Sequence, residues 1–368
     1  MDHLLLNGKK FYYEEIAGYS FRNSIPLNGY EATTLEFCRN WLNGVQEIAI
    51  NTSGSTGAPK LITLTRRQIE VSAQYTLQIL ALKENDRALV CLNTEYIGGI
   101  MMLVRGFIGN LHLTIMEPIN NPFKYLPPRG PDTFEFAAFV PLQLQVILTE
   151  SPDKLNILNQ MKGILVGGAP IGPELKKQIQ IISAPVYHTY GMTETASHVA
   201  LKRLNGNIPD TYFKSSPAVE LGQDERGCLT IKGEVTNQQL LVTNDLVNLI
   251  SEHEFEWLGR VDNTLNSGGV KVQAEKVEVA LAQALLEHQF ERRSFISAVP
   301  DDKLGQRIIA VLEGKPLSLA EEEKIYQSLQ KLLHKYESPK AIKYTPSFTA
   351  TASGKIDKTA TLASLTES

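Results

Sequence analysis

A five-residue run that reads as a buried strand, Glu47–Asn51 (EIAIN), passes without a break into TSGSTGAPK, residues 52–60. No other feature limits the fold of this chain as strongly. Gly54 and Gly57 let the backbone turn tightly and expose its N–H groups. The hydroxyls of Thr52, Ser53, Ser55 and Thr56 add donors, and Lys60 adds a cation. A loop of this chemistry between a strand and a helix is a cradle for a polyphosphate. It is not a Walker A loop, because Pro59 precedes the lysine and Leu61 follows it. The blander reading is a solvated Ser/Gly linker, but linkers of that kind rarely join a buried strand to a helix.

The flanking sequence sets the class as α/β. Thr33-x-x-Glu36 reads as a capping box that opens a helix through Phe37, Trp41 and Leu42. Residues 67–82 read as a helix and 87–92 as a buried strand. Gly163–Val166 is a short strand followed by GGAPIGP and a helix from Glu174; Val186–Thr189 is a strand ending at YGMTE. Alternating strands and helices put ligand loops at strand ends. After about residue 215 the runs become short and β-like, and GRVDNTLNSGG (259–269) reads as a boundary loop. Beyond it come a helix from Ala274, with Val277, Leu281 and Leu285 on one face, and a strand near 295–299. A last helix is capped by Ser318 with Glu321, carries Ile325, Leu329, Leu332 and Tyr336 as its apolar stripe, and is stopped by Pro339. Residues 263–368 therefore read as a small α+β domain.

A second stretch carries chemistry. In Tyr187-His188-Thr189-Tyr190-Gly191-Met192-Thr193-Glu194, an aromatic, a glycine, a hydroxyl and a carboxylate follow a strand. Tyr190 could stack on a purine, Thr193 could bond a phosphate oxygen, and Glu194 could hold Mg²⁺. Alone, the same residues would also suit an ordinary strand-end turn.

Together the two stretches resemble the adenylate-forming superfamily: acyl- and aryl-CoA synthetases, luciferases and peptide-synthetase adenylation domains. Further motifs agree in order. Gly167-Gly168-Ala169-Pro170 resembles the segment lining the adenine and acyl pocket. Thr243-Asn244-Asp245 resembles the TGD motif, with Asn in place of the usual Gly. Gly259-Arg260-Val261-Asp262 resembles the GRxD hinge. Ser267-Gly268-Gly269, followed by Glu275-Lys276-Val277-Glu278, resembles the part that faces CoA, and Ser353-Gly354-Lys355 resembles the segment bearing the catalytic lysine. The resemblance spans about residues 47–360. Only about fifty residues precede the phosphate loop, so the first N-terminal subdomain of the family is expected to be absent or remodelled.

The resemblance implies a large layered α/β domain (1–259), a hinge (260–262) and a small mobile α+β domain (263–368) carrying Lys355. It implies ATP, Mg²⁺ and coenzyme A, with an acyl-adenylate formed first and a thioester second. Lys355, Thr193 and Glu194 would be catalytic, Glu194 also holding the metal. Thr52–Gly57, Lys60, Gly168–Pro170, Tyr190–Met192, Asp245 and Arg260 would bind ATP. Asp262 would be the hinge, and Ser267–Gly269 would meet CoA. Within the superfamily, the length, the YGMTETASHVALKRLNG stretch and the residues after Leu92 most resemble the o-succinylbenzoate–CoA ligases of menaquinone biosynthesis. Those ligases place an arginine near the substrate carboxylate, and Arg105 matches it; the blander reading is a surface helix charge. Tyr96 stands where relatives have His. Tyr96, Arg105, Gly167, His188 and Ser197 are the candidates for the acid pocket, and His198 is a further candidate for substrate contact. Other aryl- or acyl-CoA ligases, carrier-protein loading and a non-catalytic nucleotide-binding module remain alternatives.

Composition narrows the partners. Thirty-six Lys+Arg against forty Asp+Glu give a net charge of −4, which offers no global attraction to nucleic acid or an anionic membrane. The partners expected are small molecules: ATP, CoA and an aromatic carboxylic acid. Homo-oligomerisation stays open. Cys38, Cys91 and Cys228 are far apart with no CxxC spacing, which excludes a disulfide scaffold and fits a reducing cytoplasm. The apolar stretch 97–116 is broken by Arg105, Asn110 and His112, so a membrane span is not expected. The N-terminus lacks a basic leader and does not read as a signal peptide.

Overall fold

The computed structural model describes residues 2–19, 26–51, 60–126, 133–349 and 356–366. Among them, thirteen strands form one large sheet. Its middle is parallel: His112–Ile115, Arg87–Val90, Phe136–Phe139, Gly163–Val166 and Val186–Met192 lie side by side in that order. Phe136–Phe139 and Gly163–Val166 are buried at every position, as strands covered on both faces must be. Side chains alternate between the two faces. Leu89, Phe139 and Val166 enter one apolar core, and Ala88, Phe136 and Leu165 enter another on the opposite side.

From Val186–Met192 onward the sheet turns antiparallel. Ser197–Arg203 pairs back along that strand as a hairpin. Phe213–Ser215, Glu254–Arg260, Leu241–Ser251, Cys228–Gly233 and Val219–Gln223 then continue to the edge. The YGM residues read as a loop from sequence lie inside the strand. At the other edge, His3–Leu6 pairs in parallel with His112–Ile115 and antiparallel with Lys9–Tyr12. Lys9–Tyr12 is thus the edge strand on this side among the described residues.

Several local expectations need correcting. The first long helix runs Gly29–Leu42 and is capped by Asn28, whose Oδ1 accepts from Glu31 N at 2.8 Å. Thr33 lies inside this helix and donates to Gly29 O. Both tetrads match the capping pattern, and the structure selects the one whose Glu31 is buried against Asn7 and Lys9. The Glu47–Asn51 strand does not lead directly to a helix. It pairs with Leu61–Thr65, Asn51 opposite Leu61, so residues 52–60 connect two paired strands before the helix Arg66–Ile79 begins. The last long helix ends at Leu332, which is itself exposed, and Tyr336 is exposed beyond it, so neither belongs to the buried stripe of Ile325 and Leu329.

Residues 259–269 are also more ordered than a boundary loop. The large sheet ends at Arg260, Val261–Asn263 is one 3₁₀ turn, and Thr264–Ser267 starts a second sheet. That five-stranded sheet packs on the helices Ala274–Glu287 and Leu319–Leu332 through Val277, Leu281, Leu285, Ile325 and Leu329. Ser267 and Val270 face each other across Gly268 and Gly269, whose φ values are +61° and +77°. Two positive φ angles at a two-residue hairpin tip favour glycine at both positions. The described helices include none long and apolar enough to cross a membrane; the apolar stretch after residue 97 is the buried helix Ile97–Gly109, ended by Asn110 in the left-handed region (φ +51°), and then a strand.

Candidate active site

The hairpin Val186–Arg203 brings the candidates together. Near its tip Tyr190 is buried, its ring edge-on to Phe255 at 5.0 Å. Its hydroxyl donates to Asp245 Oδ2 at 2.9 Å, and Trp257 Nε1 donates to Asp245 Oδ1 at 3.1 Å. Asp245 stands opposite Arg260 across the Leu241–Ser251/Glu254–Arg260 pair, with the guanidinium 3.8 Å from Oδ1. Burial, reinforced by the Asp245 charge, raises the Tyr190 phenol well above its ordinary range, so it remains a hydrogen-bond donor. One carboxylate oriented by a phenol, an indole and a guanidinium suits the hydroxyl pair of a sugar.

The turn after Tyr190 is held from within. Thr195 Oγ1 accepts from Met192 N at 3.0 Å and lies 2.7 Å from Ser197 O. Ala196 and Ser197 both take positive φ, +50° and +92°, conformations that non-glycine residues hold only when their surroundings over-determine them. Gly191 makes the hairpin possible: a Cβ there would lie 2.1 Å from Ser197 O and 2.4 Å from His198 Cα. Thr193 and Glu194 sit half-exposed on this turn, and their side chains make no hydrogen bond or ion pair within the described residues. Those residues include no cluster of three or more His, Cys, Asp or Glu. The Glu194 carboxylate is thus available to a cation that takes its other ligands from water and a substrate's oxygens, the usual set for Mg²⁺ on a polyphosphate.

Ser197 leads to the acid side. Arg105, on the helix Ile97–Gly109, is 2% exposed, so it is not a surface charge. Its Nε donates to Thr76 Oγ1 at 3.0 Å, and its Nη2 lies 3.3 Å from Ser197 Oγ and 3.5 Å from His198 Nδ1. No carboxylate pairs with it among the described residues, and burial pushes the guanidinium down to about 9. It therefore carries its charge at neutral pH. A buried cation without an anion is costly and is seldom kept for stability.

The other acid-pocket candidates do not converge on it. Tyr96 is the exposed N-cap of the same helix, nine residues or about 13 Å of rise from Arg105. His188 packs on Phe213, and burial, with Lys176 and Lys202 nearby, lowers it to about 4. Gly167 follows the Gly163–Val166 strand, where any Cβ would meet Thr189 Oγ1 at 1.9 Å; Gly168, Ala169 and Pro170 are exposed beyond it. Lys60 is exposed where its loop enters Leu61–Thr65. Thr52, Ser53, Gly54, Ser55, Thr56, Gly57 and Lys355 lie outside the described residues. Asp262 is held by Arg260 Nη2 at 2.8 Å and by Asn244 Nδ2 at 3.2 Å, and Asn244 Oδ1 accepts from Arg226 at 3.1 Å.

With this geometry, the relatives can be compared. The AMP-binding enzyme family model matches residues 48–221. An acyl-CoA synthetase (AMP-forming)/AMP-acid ligase II-like protein from Dyadobacter fermentans is 42% identical, over 92% of this chain and 95% of that one, with a TM-score of 0.60. The chain belongs to the adenylate-forming enzyme family. Its adenylate-forming relatives include the 2-succinylbenzoate–CoA ligase of Lactococcus lactis, 26% identical over 84% of this chain and 69% of the relative. The o-succinylbenzoate CoA synthetase of Bacillus subtilis, solved with its acyl-adenylate intermediate, shares the fold at a TM-score of 0.68 with 23% identity, over 84% of this chain and 67% of that one. As an adenylate-forming enzyme, the chain shows contacts its motifs did not announce. Thr76 and Trp257 carry no motif signal. Arg226 could be sought only as a partner for the unusual Asn244.

Proposed function

We propose that this protein is an o-succinylbenzoate–CoA ligase of the cytoplasm, making first the acyl-adenylate and then the thioester. The observation that carries the substrate reading is Arg105: a buried cation whose described partners are all neutral. o-Succinylbenzoate has two carboxylates, one to be activated and one left on the ring. The remaining charge needs a desolvated cation with free hydrogen-bonding capacity, and a guanidinium fork suits a carboxylate.

In this reading Asp245, oriented by Tyr190, Trp257 and Arg260, holds the ribose hydroxyls. Residues 52–60 hold the outer phosphates, and Gly168–Pro170 with Tyr190–Met192 line the adenine. Mg²⁺, bound by Glu194 and phosphate oxygens, would neutralise charge on the phosphates. The substrate carboxylate attacks the α-phosphorus and pyrophosphate leaves. Thr193 and Lys355 stabilise the charge that gathers between them. Residues 1–259 and 263–368 act as two bodies. Rotation at Asp262 then withdraws Lys355 and brings Ser267–Gly269 to CoA, whose thiolate displaces AMP. The assignments of residues 52–57 and of Lys355 rest on the sequence resemblance.

The test is ATP–pyrophosphate exchange across o-succinylbenzoate, its analogue lacking the ring carboxylate, benzoates and fatty acids. We expect o-succinylbenzoate to win, and Arg105→Leu to lower kcat/KM for it by roughly 10–10³-fold. The analogue should lose almost nothing further in the variant. A parent enzyme that prefers monocarboxylic acids refutes the substrate while leaving the family chemistry intact.

A further inference from the structure

Arg105 has an unusual retinue. Its Nη2 can only donate, so the His198 Nδ1 it approaches at 3.5 Å must carry a lone pair. The neutral ring then has its proton on Nε2, 3.2 Å from Thr76 Oγ1. Thr76 Oγ1 accepts from that proton and from Arg105 Nε, and donates its own hydrogen to Ser72 O at 3.2 Å. Each donor among Arg105 Nε and Nη2, His198 Nε2 and Thr76 Oγ1 meets an acceptor, so the contacts fix one tautomer and one direction around the set. His198 and Thr76 are buried. The imidazole, a candidate substrate contact from sequence, bonds Thr76 and approaches the guanidinium of Arg105. Nη1 makes only a 3.9 Å approach to Met102 Sδ, which leaves it as the edge of the fork with capacity for an anion.

We propose that His198 and Thr76 are positioning residues that lock the Arg105 guanidinium so that its Nη1 edge receives the second carboxylate of the acid. The proposal rests on the reading of Arg105 given above. Its physical basis is preorganisation: an arginine side chain has several rotatable bonds, and fixing it before the substrate arrives removes that ordering cost from binding. An aliphatic residue at 198 would fill the space yet leave Nη2 with one fewer acceptor, so the fork would reorient.

The experiment is a double-substitution cycle read in KM. His198→Leu should raise KM for o-succinylbenzoate about 10–100-fold, with kcat and KM for ATP nearly unchanged; Thr76→Val should move it the same way by less. His198→Asn, which keeps an acceptor near the Nδ1 position, should restore most of the affinity. In an Arg105→Leu background, His198→Leu should add nothing. Circular dichroism and the thermal midpoint identify a variant that has not folded, in which case Thr76→Val and His198→Asn carry the cycle. Equal penalties with and without Arg105, or no rescue by Asn, overturn the positioning role even if o-succinylbenzoate remains the best acid. If the parent takes no dicarboxylic acid, the substrate reading fails first, and this proposal falls with it.

Discussion

Acidification should unfold this protein earlier than its carboxylates alone would dictate, and His188 supplies the measurable share. The folded protein holds His188 down to about 4, by burial first and then by Lys176 and Lys202. An unfolded chain leaves a histidine near about 6.5. Between those values the unfolded state binds a proton that the folded state does not, so stability rises with pH and is lost as pH falls. The window spans about 2.5 pH units at about 1.4 kcal/mol each, or about 3.5 kcal/mol in all. That is a large fraction of the roughly 5–15 kcal/mol that separates folded from unfolded domains. His198 adds to it with the same sign, since burial and then Arg105 hold it well below its ordinary value. Urea midpoints measured at pH 7.5, 6.5, 5.5 and 4.5 should fall steadily below about 6.5 in the parent. His188→Gln should flatten that fall by close to one proton's worth of slope. Parallel curves for parent and variant would refute the reasoning, because a histidine that titrates alike in both states contributes no slope.

Three further outcomes are expected. Gly191→Ala drives a methyl group into the backbone at Ser197 and His198; it should cost about 2 kcal/mol or more by chemical denaturation and abolish exchange activity, and a midpoint equal to the parent's would contradict the close approach. Asn244→Gly removes the bonds to the Asp262 carboxylate and one bond from Arg226, which keeps its contacts to Asp224 and Thr243 O. Losing about 1 kcal/mol from this pose should shift the ratio of adenylation to thioester formation by about fivefold in rapid-quench assays, and an unchanged ratio refutes a role for the Asn244–Asp262 bond in setting it. Lys355→Ala should cost about 10²–10³ or more in adenylate formation while CoA transfer from presynthesised adenylate survives; equal loss in both halves refutes the two-pose mechanism.

The sequence and the structure agree where a local pattern has one solution. Ser318 with Glu321 caps the helix it announces, and Val277, Leu281 and Leu285 bury the face their spacing defines. Where two local solutions compete, sequence alone cannot choose. Thr33…Glu36 reads as the cap, yet Asn28…Glu31 fits the same pattern and is the one used, because Lys9 and Asn7 reach Glu31 from a hairpin more than twenty residues earlier. The site shows the same division. Asp245 and Tyr190 are visible as motif residues, but Trp257, the other donor to Asp245, becomes a neighbour only through strand register. Arg105 is the clearest case. Its burial depends on Thr76, Ser197 and His198, which lie 29, 92 and 93 positions away, so its chemistry is set by packing that no window of sequence contains.

In the proposed function, the hairpin Val186–Arg203 has one consequence for how ATP and the acid bind together. Tyr190 ties it to Asp245, and Ser197 and His198 tie it to Arg105. Between them lies a turn with two strained residues and a glycine that tolerates no side chain. A ligand that bears on this turn at the Asp245 end therefore bears on the site at the Arg105 end as well. Linkage then makes the benefit symmetric: the factor by which bound acid tightens ATP equals the factor by which bound ATP tightens acid. Each substrate measured alone should look weaker than in the ternary complex.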